Sequence, residues 1–371
     1  MSRWLRLMPL FLWLFVAPDH SLAQNNEMSF LRYLPENTKV VGVVNVGELF
    51  QFEMENQPGI HRASRKWYAD VFVPGVKELP KQLGITRVNR VIIGLPVIGD
   101  PQGCLVVRGE IDRKVFNKQV VLSPGIRPIH KSKNLTVFEM DAQKFPKSKR
   151  PNFGLLGSLE KQFLVRPIKD KLWFAAVDGS TIFMSFRSHK DVLTIAKQQR
   201  EQKVALNTKM RRLLSTADSS RGGIVLLTLG EESVPGRFQR EIMGDIFRQL
   251  DHFSIRLENT QDKSTLKIVA HTKNRMFAKA VHQELSNGLK RLQGGMLRQA
   301  RQGLLAYKLL RTFNPKKANA AWDVLLLVAD PLLAFAESMT PELDDKVVQI
   351  TSEVPRSRFS SLVKALLPPT K

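Results

Sequence analysis

One short motif recurs in this chain, and it constrains the fold more than any other feature. Val43-Val44-Asn45-Val46-Gly47-Glu48 returns as Leu226-Leu227-Thr228-Leu229-Gly230-Glu231, apolar positions around one polar residue and then Gly-Glu. Both read as buried strands ending at a glycine turn. A helix is predicted after each, within residues 61–83 and 235–250. A hairpin follows: 91–97 with 104–111 across Gly99-Asp100-Pro101-Gln102-Gly103, and 253–257 with 265–271 across Asn259-Thr260-Gln261-Asp262. The returning strand then enters a helix at a fixed spacing. Glu110, Phe116 and Val120 match His271, Phe277 and Val281; Glu353, Phe359 and Val363 repeat the pattern. Phe186, Val192 and Ala196 repeat it more loosely, after a hairpin at 172–185 with an Asp178-Gly179 turn. The aromatic or β-branched residue falls on the first helical turn and packs onto the sheet, and its i+4 neighbour extends the stripe.

These repeats predict an α+β fold of two similar halves. Each half is a mainly antiparallel sheet packed with helices, and the second carries a long helical hairpin. Residues 24–215 form the first half and 216–371 the second, with the basic helical hairpin at 274–338. The boundary falls at the polar loop Ser215-Thr216-Ala217-Asp218-Ser219-Ser220. The lead-in Leu34-Pro35-Glu36-Asn37-Thr38, the Asp-Gly hairpin and the duplicated unit resemble uncharacterised exported α+β proteins of planctomycete-type bacteria. That resemblance implies export and a duplicated fold, and it carries no catalytic residues.

Residues 1–23 read independently as a signal peptide. Arg3 and Arg6 precede an apolar run from Leu7 to Ala17, and Ser21-Leu22-Ala23 places small residues before a cut at Gln24. The run stops at Pro18, short of the about 20 apolar residues of a membrane span. An uncleaved short anchor is the alternative; after cleavage no transmembrane span is expected. The protein is therefore expected in the periplasm, the cell envelope or outside the cell. Cys104 is the single cysteine, so no intramolecular disulfide can form, and its apolar surroundings predict a buried, inert thiol.

Charge narrows the partner class. The chain carries +23; losing Arg3, Arg6 and Asp19 leaves 55 basic and 33 acidic residues, a net +22. Such an excess draws in anions. Export argues against nucleic acid, leaving an anionic envelope polymer, a lipid surface or an acidic protein. Two basic segments are the candidate surface: Lys144, Lys147, Lys149 and Arg150 in the proline-containing loop 144–151, and Lys290, Arg291, Arg298, Lys316 and Lys317 in the helical stretch, which has no acidic residue from 285 to 322. That stretch either lies on an anionic membrane or packs its apolar stripe on the protein's own core. Folded back about Asn314-Pro315, it would bring Arg301 opposite Asp330 and Lys308 opposite Asp323.

Common catalytic templates are missing: no His-Glu-x-x-His helix, no Gly-x-Ser-x-Gly elbow and no glycine-rich phosphate or dinucleotide loop. The histidines of the mature chain (61, 130, 189, 252, 271 and 282) show no metal-ligand spacing, so no metal or cofactor is expected. Glu48 and Glu231, at matching strand ends, read as compensating the dipole of a following helix rather than as a catalytic pair. Trp67-Tyr68 among basic residues reads as core, with a stacking surface as the alternative. The expected function is a non-enzymatic binding or scaffold protein of the envelope or periplasm that engages an anionic partner. The alternative is an exported hydrolase whose site is scattered in sequence.

Overall fold

The computed structural model describes residues 29–45, 84–98, 100, 102–122, 125–141, 171–216, 224–234, 247–260, 262–313 and 333–355. The signal segment, the helix expected at 61–83, most of that at 235–250, the loop 144–151, the turn at 314–317, and Phe359 and Val363 lie outside the described residues.

The protein is α+β, built on a mostly antiparallel sheet. In chain order the strands are β1 (Val40–Asn45), β2 (Ile85–Leu95), β3 (Cys104–Ile111), β4 (Ile126–Ser132), β5 (Leu135–Asp141), β6 (Lys171–Asp178), β7 (Thr181–Ser185), β8 (Ile224–Thr228), β9 (Leu250–Asn259), β10 (Lys263–Thr272), β11 (Thr340–Asp344) and β12 (Val347–Pro355). They form one sheet in the order β11-β12-β10-β9-β8-β1-β2-β3-β7-β6-β5-β4. Residues on either side of the polar loop at 215–220 thus share a sheet, joined where Val41 pairs with Leu227 and Val43 with Val225. β1 is central and covered on both faces, so all its residues are buried and it reads as a continuous apolar run. The two outer strands, β4 and β11, are largely exposed and each contains a proline, Pro128 and Pro341, which suits an edge.

The helices are α1 (Arg113–Val120), α2 (His189–Arg200), α3 (Thr208–Thr216), α4 (Arg275–Arg291) and α5 (Leu297–Phe313). Asp112 caps α1, its carboxylate accepting from the Lys114 and Val115 amides, and Asn274 caps α4 through the Phe277 amide. α1 lays Phe116 and Val120 on one face of the sheet. There Phe116 meets Phe138 and Phe174 edge-on, at 6.4 and 6.2 Å between ring centres, among Val107, Ile182 and Met184. α4 packs Ala278 and Val281 on the same face, against Leu250, Ala270 and Val348. The opposite face, lined by Val43, Val106, Val137, Ala175, Phe183 and Leu227, lies under α2, α3 and the 3₁₀ turn Ser29–Tyr33. Phe116 is fully buried, whereas Phe277, at the matching spacing, is half-buried.

A π-helical turn, Leu292–Met296, holds Gly294 and Gly295 and joins α4 to α5 without a break. A helical turn at 333–338 packs back there, with Leu333 and Ala336 on Leu297. The Gln293 amide donates to the carbonyls of Ala336, Glu337 and Met339. Arg301 pairs with Glu337; Asp323 and Asp330, expected opposite this helix, lie outside the described residues. No described helix is long and apolar enough to cross a membrane.

Candidate functional site

Several polar clusters outside β8 to β12 are structural. Cys104 is buried and its thiol is pushed up to about 12 by burial, so it is inert. Tyr33 donates to Asp178 at 2.6 Å, and burial with that bond raises the phenol to about 12. Glu139 is buried at the β4–β6 end of the sheet. Burial raises its carboxyl, but hydrogen bonds from Arg127 and Trp173 and the charges of Lys171 and Arg127 outweigh that and hold it below the usual range.

Strands β9, β10 and β12 differ on one sheet face. On β9, β10 and β12 the alternate residues Ile255, Leu257, Leu266, Ala270, Val348 and Val354 are buried with α4 and its neighbours. The intervening residues point the other way. They are His252, Ser254, Arg256 and Glu258; Thr265, Lys267, Val269 and His271; Val347, Gln349, Thr351 and Glu353. Nearly all are polar and half-exposed. On β1, β3, β5, β6 and β7 the same face is apolar and lies under α2 and α3.

Two directly opposed pairs on this face carry like groups. Arg256 stands across from Lys267, and His252 from His271. Like charges facing each other across a ladder are destabilising. Arg256 is partly compensated by Glu258 at 3.2 Å, and Lys267 has no ion-pair partner among the described residues. The histidine rings stack at 4.0 Å between centres, 20° from parallel.

An irregularity in β9 adds a carboxylate. His271 pairs with His252 but Thr272 with Leu250, so Asp251 is the extra residue of a β-bulge. The bulge lets Asp251 reach the ring of its neighbour, 3.0 Å from His252 Nδ1, which a regular strand would prevent. Lys209 of α3 lies 3.2 Å from the same carboxylate and 3.8 Å from Glu232, and Glu232 also lies 3.8 Å from Lys39. Gly230, with φ of +42°, opens the 3₁₀ turn Gly230–Ser233 that presses on the bulge. His252 foremost, with Lys209, holds the Asp251 carboxyl below its ordinary range against the opposing effect of burial. With the carboxylate as acceptor, His252 donates from Nδ1. Among the described residues no hydroxyl or thiol hydrogen-bonds either imidazole, and no group of three His, Cys, Asp or Glu could hold a metal.

Burial, reinforced by the charge of His252 and partly offset by Asp251, lowers the pKa of His271. A base depressed in the fold binds its proton more readily in the unfolded chain. Its contribution is therefore complete above about pH 6.5, where the unfolded imidazole is neutral, and declines as pH falls from there through the folded pKa. Thermal melts between pH 5 and 8 are expected to show that decline, and His271→Gln to flatten it. An unchanged slope in the variant would remove His271 as its source.

Lys290, Arg291 and Arg298 are exposed along α4 and α5 and make no ion pair among the described residues. They are distinct from the Arg256–Lys267 pair. Lys144, Lys147, Lys149, Arg150, Lys316, Lys317, Glu48 and Trp67-Tyr68 lie outside the described residues. Glu231 sits in the first turn of the 3₁₀ segment and pairs with Lys273 at 3.3 Å. Arg256, Lys267 and the Asp251–His252–His271 group were not singled out from sequence. The alternation of polar with apolar residues along 252–258 was the available signal, and cross-strand register was what it lacked.

No family model and no curated protein matches this chain. Among solved structures it is similar to crystal forms I, III and IV of TP0453. Form I aligns at 9% identity and a TM-score of 0.41 over 91% of this chain and 97% of that one. Form III aligns at 10% and 0.42 over 90% and 97%, and form IV at 10% and 0.41 over 90% and 95%.

Proposed function

We propose that this is an exported, non-enzymatic binding or scaffold protein of the periplasm or cell envelope that engages an anionic partner through the open face of β9, β10 and β12. The observation that carries the reading is the facing Arg256–Lys267 pair on a half-exposed sheet. Its two cations oppose each other within the protein, and a bound anion would relieve that repulsion. The net charge of +22 after loss of residues 1–23 brings anions to that face from a distance.

The architecture behind this reading is a duplicated unit. From the β1–β8 pair the sheet runs outward as β1-β2-β3-β7-β6 one way and β8-β9-β10-β12-β11 the other. The third strand of each series enters a helix, α1 or α4, with Phe116 or Phe277 on its first turn. α1 and α4 lie on the same face, as a twofold axis normal to the sheet requires. In the second unit α4 continues into α5 as one arm of a long helical hairpin, to which the turn at 333–338 returns. The second unit's other face, polar where the first unit's is apolar, is then the part of the duplicate given over to binding.

The test is retention of the chain from Gln24 on dextran sulfate and polyglutamate over a salt gradient. Lys267→Glu is expected to weaken binding roughly tenfold or more, the loss of a charged contact of about 1.5–3 kcal/mol. The same substitution sets opposite charges across the ladder and should raise stability by about 0.2–1 kcal/mol. Unchanged retention would exclude this face as the binding surface.

A further inference from the structure

We infer that α5 docks on the surface of an anionic lipid bilayer through the face that carries Arg298, Arg301, Leu305 and Leu309. This rests on the anionic-partner reading and assigns it a lipid partner at a second surface. Steps of three and four residues place these four side chains on one side of the helix. Leu305 is 59% exposed and Leu309 51%, and they are adjacent on that side, one turn apart. Two half-exposed leucines on consecutive turns of one helix form a small apolar strip that water solvates poorly. Arg298, exposed and without an ion pair among the described residues, and Arg301, half-exposed beside Glu337, lie along the same strip. Charge selects the occupant. From residue 285 to 322 the sequence holds eight basic residues and no acidic one, and the carboxylate beside the strip, Glu337, is already paired with Arg301. At 17 residues α5 is about 25 Å long and would lie in the headgroup region, leucines toward the acyl chains and arginines at the phosphates.

The experiment is co-flotation of the chain from Gln24 with vesicles of phosphatidylcholine alone or mixed with phosphatidylglycerol, alongside thermal melts. Binding is expected only to the anionic vesicles. Arg298→Glu, which changes the charge by two, should weaken it roughly thirtyfold. Leu305→Ser with Leu309→Ser should weaken it by a roughly similar factor, with melting unchanged. Equal binding to neutral vesicles, or variants that bind as the parent does, would overturn the inference. So would leucine variants that melt at lower temperature while keeping vesicle affinity, because the strip would then be covered by the chain itself. A parent that ignores vesicles but is retained on dextran sulfate ends the lipid assignment and leaves the anionic-partner reading standing. A parent that binds neither ends both.

Discussion

Phe116→Ala is expected to destabilise the protein by about 3–5 kcal/mol, the usual cost of emptying a buried aromatic site. The side chain is 3% exposed and wedged edge-on between Phe138 and Phe174, with Val107 and Ile182 beneath it. Those neighbours belong to four different strands, so the cavity cannot close by moving one element. The matching change, Phe277→Ala, should cost less, because Phe277 is only half-buried at the start of α4. Urea denaturation of the two variants would measure both. Equal losses would mean that the two helices bury their first turns alike, contrary to the packing described here.

Gly230→Ala is expected to cost about 2–5 kcal/mol, combining left-handed backbone strain with overpacking. The φ of +42° disfavours a side chain. A Cβ at this position would also lie 2.3 Å from the Leu250 carbonyl oxygen and 2.9 Å from that of Asp251. Both oxygens belong to the backbone of the bulge, so relief requires β9 itself to move. Asp251 would then shift relative to His252, and the pH dependence of stability attributed to His271 should change with it. Gly288→Ala provides the contrast: a Cβ there meets nothing within 4 Å, and the gain in helix propensity should be up to about 1 kcal/mol. If the two alanine variants behaved alike in thermal melts, contact between the 3₁₀ turn and the bulge would not limit stability.

Much of the strand pattern was legible without the structure. The strand expected at 104–111 has those bounds, and 265–271 lies within β10. Strong apolar runs between turn residues mark central strands, whose faces are both covered. The hairpins β4–β5 and β11–β12 were missed. β4 offers only Ile126 and Ile129 among polar residues and a proline, and β11 is Thr340-Pro341-Glu342-Leu343-Asp344. Edge strands are held by a neighbour on one side and need little apolar surface, so they leave a weak trace in sequence. The candidate face was half-legible. Alternation along 252–258 showed that one side of β9 is polar, but its partners on β10 are set by pairing between distant segments.

By itself the sequence determined the class of fold, the helical turns at Phe116 and Phe277, the buried state of Cys104 and Phe116, and a strongly positive charge. Each follows from local chemistry: hydrophobic periodicity and composition act over a few residues or over the whole chain at once. Tertiary structure alone decided which charges face one another. A register in which Arg256 meets Lys267 and His252 meets His271, with Asp251 bulged between, depends on hydrogen bonds spanning the sheet. A shift of one residue would turn every one of those side chains to the other face. The same holds for the cover of the sheet. Lys209 reaches Asp251 because α3 packs beside β8, and α5 packs Leu297 on the 333–338 turn while Leu305 and Leu309 stay exposed.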